Sequence, residues 1–327
     1  MDKGCVLGID TSNYKTSLAV VDRSGKIIKD ARTLLAVKQG TRGLRQSEAF
    51  FQHIENFPNL INQVFEKTLS SQIAAVAVSD KPRPIEGSYM PCFKAGISFA
   101  QSIAKILQVP VYCFSHQEGH IEAVKAYSHF NNEDTVLAWH LSGGTCELLK
   151  VDNHLIEIIG GSKDISFGQV LDRIGVLYGL NFPCGEAMDV KVCGLRNEFI
   201  VNREQERLTK IKLDGLSFNL SGVETQCARW IQSENDRSGE FIPDWKLIKE
   251  LFDQIADCII LTTQKASEKT GIRNVIFAGG VSSSKYISER IIKAFENTAV
   301  QIDFGNQELA SDNAVGVALL GGKSLWL

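Results

Sequence analysis

The sequence predicts an α/β protein built from two duplicated lobes. Three observations carry that reading. Each half opens on a three-strand meander, Val6–Asp10, Ser17–Val21 and Lys26–Ala31 in the first, Thr135–Leu141, Cys146–Val151 and Leu155–Gly160 in the second. Each half then alternates helix with strand. A polar break, Ser128–Asp134, separates the two. A single Rossmann sheet would open strand–helix–strand instead. The length of 327 residues and 44% hydrophobic content suit two soluble lobes. The lobes are expected at 1–130, joined by the C-terminal helix, and at 131–327.

Turns at Thr11–Thr16 and Arg23–Gly25 close the first meander. Glu48–Leu69 places apolar residues at helical spacing, and Ile73–Val78 is a continuous apolar run, the mark of a buried strand. Phe93–Leu107 reads as a helix and Val109–Phe114 as a strand. Ser115 and Glu118 then form a capping box, so a helix is expected to start there. In the second half, Ser142-Gly-Gly-Thr145 is a turn, and helices are expected at Phe167–Tyr178, Ser221–Ser233, Asp244–Lys269 and Ser284–Asn297. Asn274–Ala278 is a strand, Val300–Asp303 is short and extended, and Ala310–Gly321 is a closing helix. Arg196–Lys212 mixes charges of both signs, as a solvated face does.

Composition excludes several classes. No run of 18 apolar residues exists, so no membrane span is expected, and the N-terminus lacks a basic-then-apolar leader. A cytoplasmic protein is the expectation. The eight cysteines form no C-x-x-C pair and read as reduced core thiols. A net charge of −3 offers nucleic acid no bulk attraction, so any RNA would need a local patch or a partner protein.

The sharpest local feature is His116 with His120, in Ser115-His-Gln-Glu-Gly-His120. Imidazoles four residues apart share a helix face and can grip one metal ion. Two surface histidines spaced so by chance are the alternative that spacing alone leaves open. The pattern lacks the Glu that follows the first His in H-E-x-x-H, which excludes a zinc peptidase of that type.

Three turns look shaped for a nucleotide. Gly8-Ile-Asp10-Thr-Ser12-Asn can form an anion nest, with Asp10 orienting a metal or water. Ser142-Gly143-Gly144-Thr145 lets backbone approach a phosphate. Phe277-Ala-Gly279-Gly280-Val-Ser282-Ser follows a strand and opens a helix, so its free N–H groups can face a ligand. Taken alone, either glycine pair reads better as an ordinary Gly-Gly turn; the three turns in this order do not.

This order resembles the actin, sugar-kinase and heat-shock ATPase superfamily, whose fold is ribonuclease H-like, with two lobes and a nucleotide/metal cleft between them. Within it the chain resembles the TsaD/Kae/Qri family of tRNA threonylcarbamoyltransferases from near residue 5 to near residue 320. The specific matches are Gly8-Ile-Asp-Thr-Ser12, His116-x-x-x-His120, Leu141-Ser-Gly-Gly144, Phe167-Gly-x-x-x-Asp172, Phe182-Pro-x-Gly185, Phe218-x-x-Ser221-Gly222, Ala278-Gly-Gly-Val-Ser282 and Ser311-Asp312-Asn313. The His pair with the late Asp-Asn separates this family from sugar kinases.

The resemblance implies one divalent metal, Fe2+ or Zn2+, on His116, His120 and Asp312, although Asp312 reads as well as the N-cap of the last helix. It implies threonylcarbamoyl-adenylate, or an adenine nucleotide, as ligand and N6 of the adenosine beside the tRNA anticodon as acceptor. Asp10 and Asp172 are the implied catalytic positions. Ser12, Ser142, Gly143, Gly144, Thr145, Asp172, Gly185, Asp189, Gly279, Gly280 and Ser284 are the implied ligand contacts. A plain surface carboxylate is the alternative for Asp172, and a turn glycine for Gly185. Small helper proteins are implied as partners.

Several positions depart from the family's pattern. Asn13-Tyr14-Lys15 stands where acidic residues are usual, and Thr145 where His is usual. Ser79-Asp-Lys81-Pro-Arg83-Pro replaces a Gly-Pro-Gly loop, and Ser283-Ser284-Lys285 replaces an Asn after the adenosine turn. A Pro-Glu-x-x-x-Arg-x-His stretch is here Arg45-Gln-Ser-Glu-Ala-Phe-Phe-Gln-His53. A diverged paralogue fits these changes, with Lys15 either adding charge beside the phosphates or standing solvated at a hairpin tip. Two other functions therefore stay open: a carbamoyltransferase or kinase of this fold with a small-molecule acceptor, and a nucleotide-binding, non-catalytic partner of a true family member.

Overall fold

The computed structural model describes residues 4–38, 43–65, 69–153, 155–195, 207–238 and 243–326. They form two compact units, one of the described residues within 4–131 and 305–326, the other of the described residues within 132–304.

The first unit opens on β1 (Cys5–Thr11), β2 (Lys15–Asp22) and β3 (Ile27–Leu34), then α1 (Gln46–Val64), β4 (Ile73–Lys81), α2 (Phe93–Leu107), β5 (Val111–Ser115) and α3 (His116–Ala126). The second runs β6 (Thr135–Leu141), β7 (Cys146–Asp152), β8 (Leu155–Ser162), α4 (Phe167–Leu177), α5 (Gly185–Gly194), β9 (Leu213–Asp214), β10 (Ser217–Phe218), α6 (Ser221–Ser238), α7 (Trp245–Thr270), β11 (Asn274–Ala278), α8 (Lys285–Phe295) and β12 (Gln301–Asp303). The chain then returns to the first unit with α9 (Val315–Trp326).

Strand order exposes the duplication. The first sheet is β3-β2-β1-β4-β5, and the second contains β8-β7-β6-β11-β12, the same order. In both, the meander is antiparallel and the two later strands run parallel to the first strand. The continuous apolar runs of β1 and β4 are buried throughout their centres because helices cover both faces.

The elements differ from expectation where packing decides them. α5 was not expected: it lacks a regular apolar stripe and starts and ends on glycine. β9 and β10 extend the second sheet by two-residue strands, too short to leave a period. α1 ends at Val64 rather than Leu69, and residues 66–68 lie outside the described ones, as does 196–206 of the mixed-charge stretch. α9 starts five residues later than expected, at Val315 rather than Ala310. There the Asn313 side-chain oxygen accepts the N–H groups of Val315 (3.0 Å) and Gly316 (3.3 Å). Asn313 thus takes the capping role that the sequence offered to Asp312, which leaves the Asp312 carboxylate for other partners.

One close approach positions the functional end of the first unit. A Cβ on Gly316 of α9 would overlap the backbone carbonyl of Gly119 in α3, and one on Gly119 would lie 2.9 Å from Val317. Only glycine lets these backbones touch. The contact brings the start of α9, with Asp312 just before it, against the helix that carries the His pair.

Candidate functional site

The site is assembled at the carboxyl ends of β1 and β5. Ser115 accepts the Glu118 N–H (3.2 Å) while the Glu118 carboxylate accepts the Ser115 N–H (2.6 Å), the expected capping box. This pins the start of α3, so His116 is its first residue and His120 lies one turn on, facing the same way. His116 Nε2 and His120 Nε2 are 3.0 Å apart, His120 Nε2 and Asp312 Oδ1 3.2 Å, and His116 Nε2 and Asp312 Oδ1 3.6 Å. An ion with bonds of ~2.1 Å at near-tetrahedral angles spaces its ligand atoms ~3.4 Å apart. The triangle therefore has the dimensions of one face of a single ion's coordination shell, and two imidazoles with a carboxylate suit Zn2+ or Fe2+.

A second layer fixes these three groups. His116 Nδ1 donates to Asp10 Oδ2 at 2.7 Å, which puts the proton on Nδ1 and turns the Nε2 lone pair toward the cluster. Asp10 Oδ1 accepts the Ser12 N–H at 2.9 Å, and Ser12 Oγ donates to Asp312 Oδ2 at 2.7 Å. Asp312 is thereby left with Oδ1 toward the histidines. Ser12 links both carboxylates, a role its sequence position did not reveal.

The electrostatics call for positive charge at this point. Burial disfavours imidazolium at His116, but the Asp10 and Asp312 carboxylates overcome it and raise that group to about 10. His120 is lowered, by burial and by the charge on His116. Burial opposes ionisation of Asp312, yet the two histidines hold its carboxyl well below the usual range. Without metal, a proton shared among these groups supplies the charge that a cation would carry. Lys15 also turns inward: its Nζ donates to Ser311 Oγ at 2.7 Å. Burial lowers its pKa and Asp312 partly opposes that. It is not a solvated hairpin tip.

The remaining candidate residues lie in the second unit. Between β6 and β7, the Ser142 N–H donates to the Thr145 carbonyl (2.8 Å) and the Thr145 N–H to Ser142 Oγ (3.1 Å). Ser166 Oγ, the cap of α4, donates to the Gly143 carbonyl (2.7 Å). A Cβ on Gly168 would lie 2.6 Å from Gly143 Cα, so the start of α4 is seated directly on the Gly143 turn. Gly279 and Gly280 follow β11, which pairs with β6 at Ala278 and His140. Both glycine turns thus stand at the carboxyl ends of neighbouring parallel strands, where open α/β sheets take ligands. Asp189 accepts the N–H groups of Lys285 and Tyr286 (3.0 Å each) and the Ser284 hydroxyl, so these two predicted contacts form the start of α8. Asp172 Oδ1 accepts the Cys184 N–H (2.8 Å), next to Gly185 at the head of α5, and burial pushes its carboxyl up to about 6. Asp10, Ser12, His116, His120 and Asp312 are together in the first unit; all other candidate contacts are in the second.

Two units of one topology define the class: the chain has the actin-like ATPase and sugar-kinase fold. Solved structures of that fold bear this out. Component A of the (R)-2-hydroxyglutaryl-CoA dehydratase of Acidaminococcus fermentans matches with a TM-score of 0.54 and 15% identity over 98% of both chains. A ROK family glucokinase from Streptomyces griseus, solved with glucose and AMPPNP, matches with a TM-score of 0.51 and 13% identity, over 98% of this chain and 100% of that one. Within that class, the profile of TsaD, tRNA N6-adenosine threonylcarbamoyltransferase, matches residues 32–319, and the chain belongs to that family of acyltransferases. It is 26% identical to the tRNA N6-adenosine threonylcarbamoyltransferase of Riemerella anatipestifer over 333 aligned residues, 98% of this chain and 92% of the relative. No described helix is long and apolar enough to cross a membrane.

Proposed function

We propose that this protein transfers the threonylcarbamoyl group of threonylcarbamoyl-adenylate to N6 of the tRNA adenosine beside the anticodon, with one divalent metal on His116, His120 and Asp312. The observation that carries the reading is the coincidence of a family match over 32–319 with a complete metal triangle and its second layer. When bound, the ion supplies Lewis-acid stabilisation of negative charge on the donor. Asp10 keeps the His116 proton on Nδ1, and Ser12 keeps Asp312 turned to the cluster. The backbone of the glycines in the two turns, Gly143, Gly144, Gly279 and Gly280, receives the adenylate. N6 attacks the carbamoyl carbon, the bond to the AMP phosphate oxygen breaks, and AMP leaves. Asp172, with its carboxyl near 6, is largely ionised at neutral pH and takes the proton that N6 loses. The modest net charge fits delivery of tRNA with small helper proteins.

Mass spectrometry of nucleosides from total tRNA, with and without the gene, tests the reading. Loss of threonylcarbamoyladenosine without the gene is expected. An unchanged nucleoside pool would remove tRNA as acceptor. It would favour a same-fold transferase with a small-molecule acceptor, for which the inward Lys15 beside Asp312 is the supporting observation.

A further inference from the structure

His53 lies on the buried face of α1 with Ala49, Phe57, Leu60 and Val64, and is itself fully buried. A histidine among apolar neighbours is most often a satisfied core residue. Here both ring nitrogens reach into one turn. Nε2 is 2.8 Å from the Ser12 carbonyl, and Nδ1 is 2.8 Å from Thr16 Oγ1. A carbonyl can only accept, so Nε2 carries the proton. Burial lowers the pKa of His53 and keeps the ring neutral, so Nδ1 accepts from the Thr16 hydroxyl. Thr16 Oγ1 in turn accepts from Asn56 Nδ2 at 3.4 Å. The chain of donors runs one way, Asn56 to Thr16 to His53 to Ser12, so each bond polarises the next.

Ser12 is where this chain meets the cation cluster. Its N–H holds Asp10, which orients His116, and its hydroxyl holds Asp312. We propose that His53 is a positioning residue for the metal: by fixing the Ser12 main chain it sets two of the three ligands at once, although it touches neither. The inference rests on the metal reading above.

Zn2+ titration of the full chain by calorimetry tests it. His53→Gln keeps a donor where Nε2 stands; His53→Asn keeps the Thr16 contact but does not reach Ser12; His53→Phe keeps volume and loses both. Outer-shell partners of a metal ligand set affinity by ~10–100-fold, so Asn and Phe should bind Zn2+ about tenfold more weakly and Gln within about threefold of the parent. Thr16→Val, which leaves the ring in place but removes the hydroxyl that orients it, should cost a few-fold and serves if the ring variants do not fold. A core role alone would lower thermal stability and leave affinity unmoved. Equal affinity of Asn, Phe and Thr16→Val with the parent overturns the inference, as does equal loss in Gln and Asn. Absent Zn2+ binding in the parent, or binding by His116→Ala that matches the parent, overturns the metal reading and this inference with it.

Discussion

The two units place a turn of four residues at the same point of the same meander and use it oppositely. In the first, Thr11 pairs with Thr16 across residues 12–15; in the second, Leu141 pairs with Cys146 across residues 142–145. Ser12 and Ser142 are therefore equivalent. Ser142 closes its turn on itself, its hydroxyl accepting the Thr145 N–H, and leaves Gly144 exposed while α4 covers Gly143. Ser12 spends both groups outside its turn, its N–H on Asp10 two residues back and its hydroxyl on the distant Asp312. A self-satisfied turn frees backbone N–H groups for an anion; a turn that reaches outward orders carboxylates around a cation. One topology thus carries two different local arrangements, distinguished by what one serine bonds.

The comparison breaks first at the histidines. His116→Ala removes a ligand and should lower zinc affinity by at least ~100-fold, read by metal analysis of purified protein, with nucleotide binding kept. Asp10→Asn should cost ~10–100-fold, because the amide can present an N–H to Nδ1 and turn the wrong imidazole tautomer to the cluster; competition with a chromophoric chelator measures it.

Acidity sharpens the comparison next. In the metal-free protein His116 is raised to about 10, so over neutral pH a proton must leave before metal enters. Zinc affinity should therefore rise about tenfold per pH unit from 7 toward 9, while nucleotide affinity in the second unit stays level. The sign for metal-free stability is opposite. A raised histidine stabilises the fold fully below its unfolded value of ~6.5 and loses that contribution as pH climbs through its folded value. The metal-free protein should thus melt lower at pH 10 than at pH 7, and added zinc should reverse the trend.

Lys15→Ala is the smallest effect. A cation beside Asp312 opposes an incoming metal ion, so its removal should raise Zn2+ affinity a few-fold, a gain that shrinks with added salt. Titrations at two salt concentrations check it, and an unchanged affinity would confine Lys15 to holding Ser311.

Much of this was legible in the residues. Two meanders separated by a polar break showed the duplication, and the i, i+4 histidines behind a capping box placed the His pair on one face of α3. Unseen was whatever depends on distant partners. Ser12 meets Asp312 across 300 positions, a pairing no local spacing records. Asp189 is buried because it caps a helix that starts 96 residues later, so its helix carries no apolar stripe to read. His53 looked like part of an altered motif until its two nitrogens were placed on Ser12 and Thr16.

The central claim is the division of labour between the units, and one paired titration tests it most directly. Zn2+ and AMP, a fragment of the proposed donor, are titrated against the parent, His116→Ala and Gly280→Val. A Cβ at Gly280 would meet nothing within 4 Å, so a side chain can start there without displacing the protein, and the valine is chosen to crowd a ligand. The account predicts that His116→Ala loses Zn2+ and keeps AMP, and that Gly280→Val keeps Zn2+ and loses AMP by about tenfold or more. Gly280→Val binding AMP as well as the parent, or His116→Ala retaining Zn2+, would contradict it.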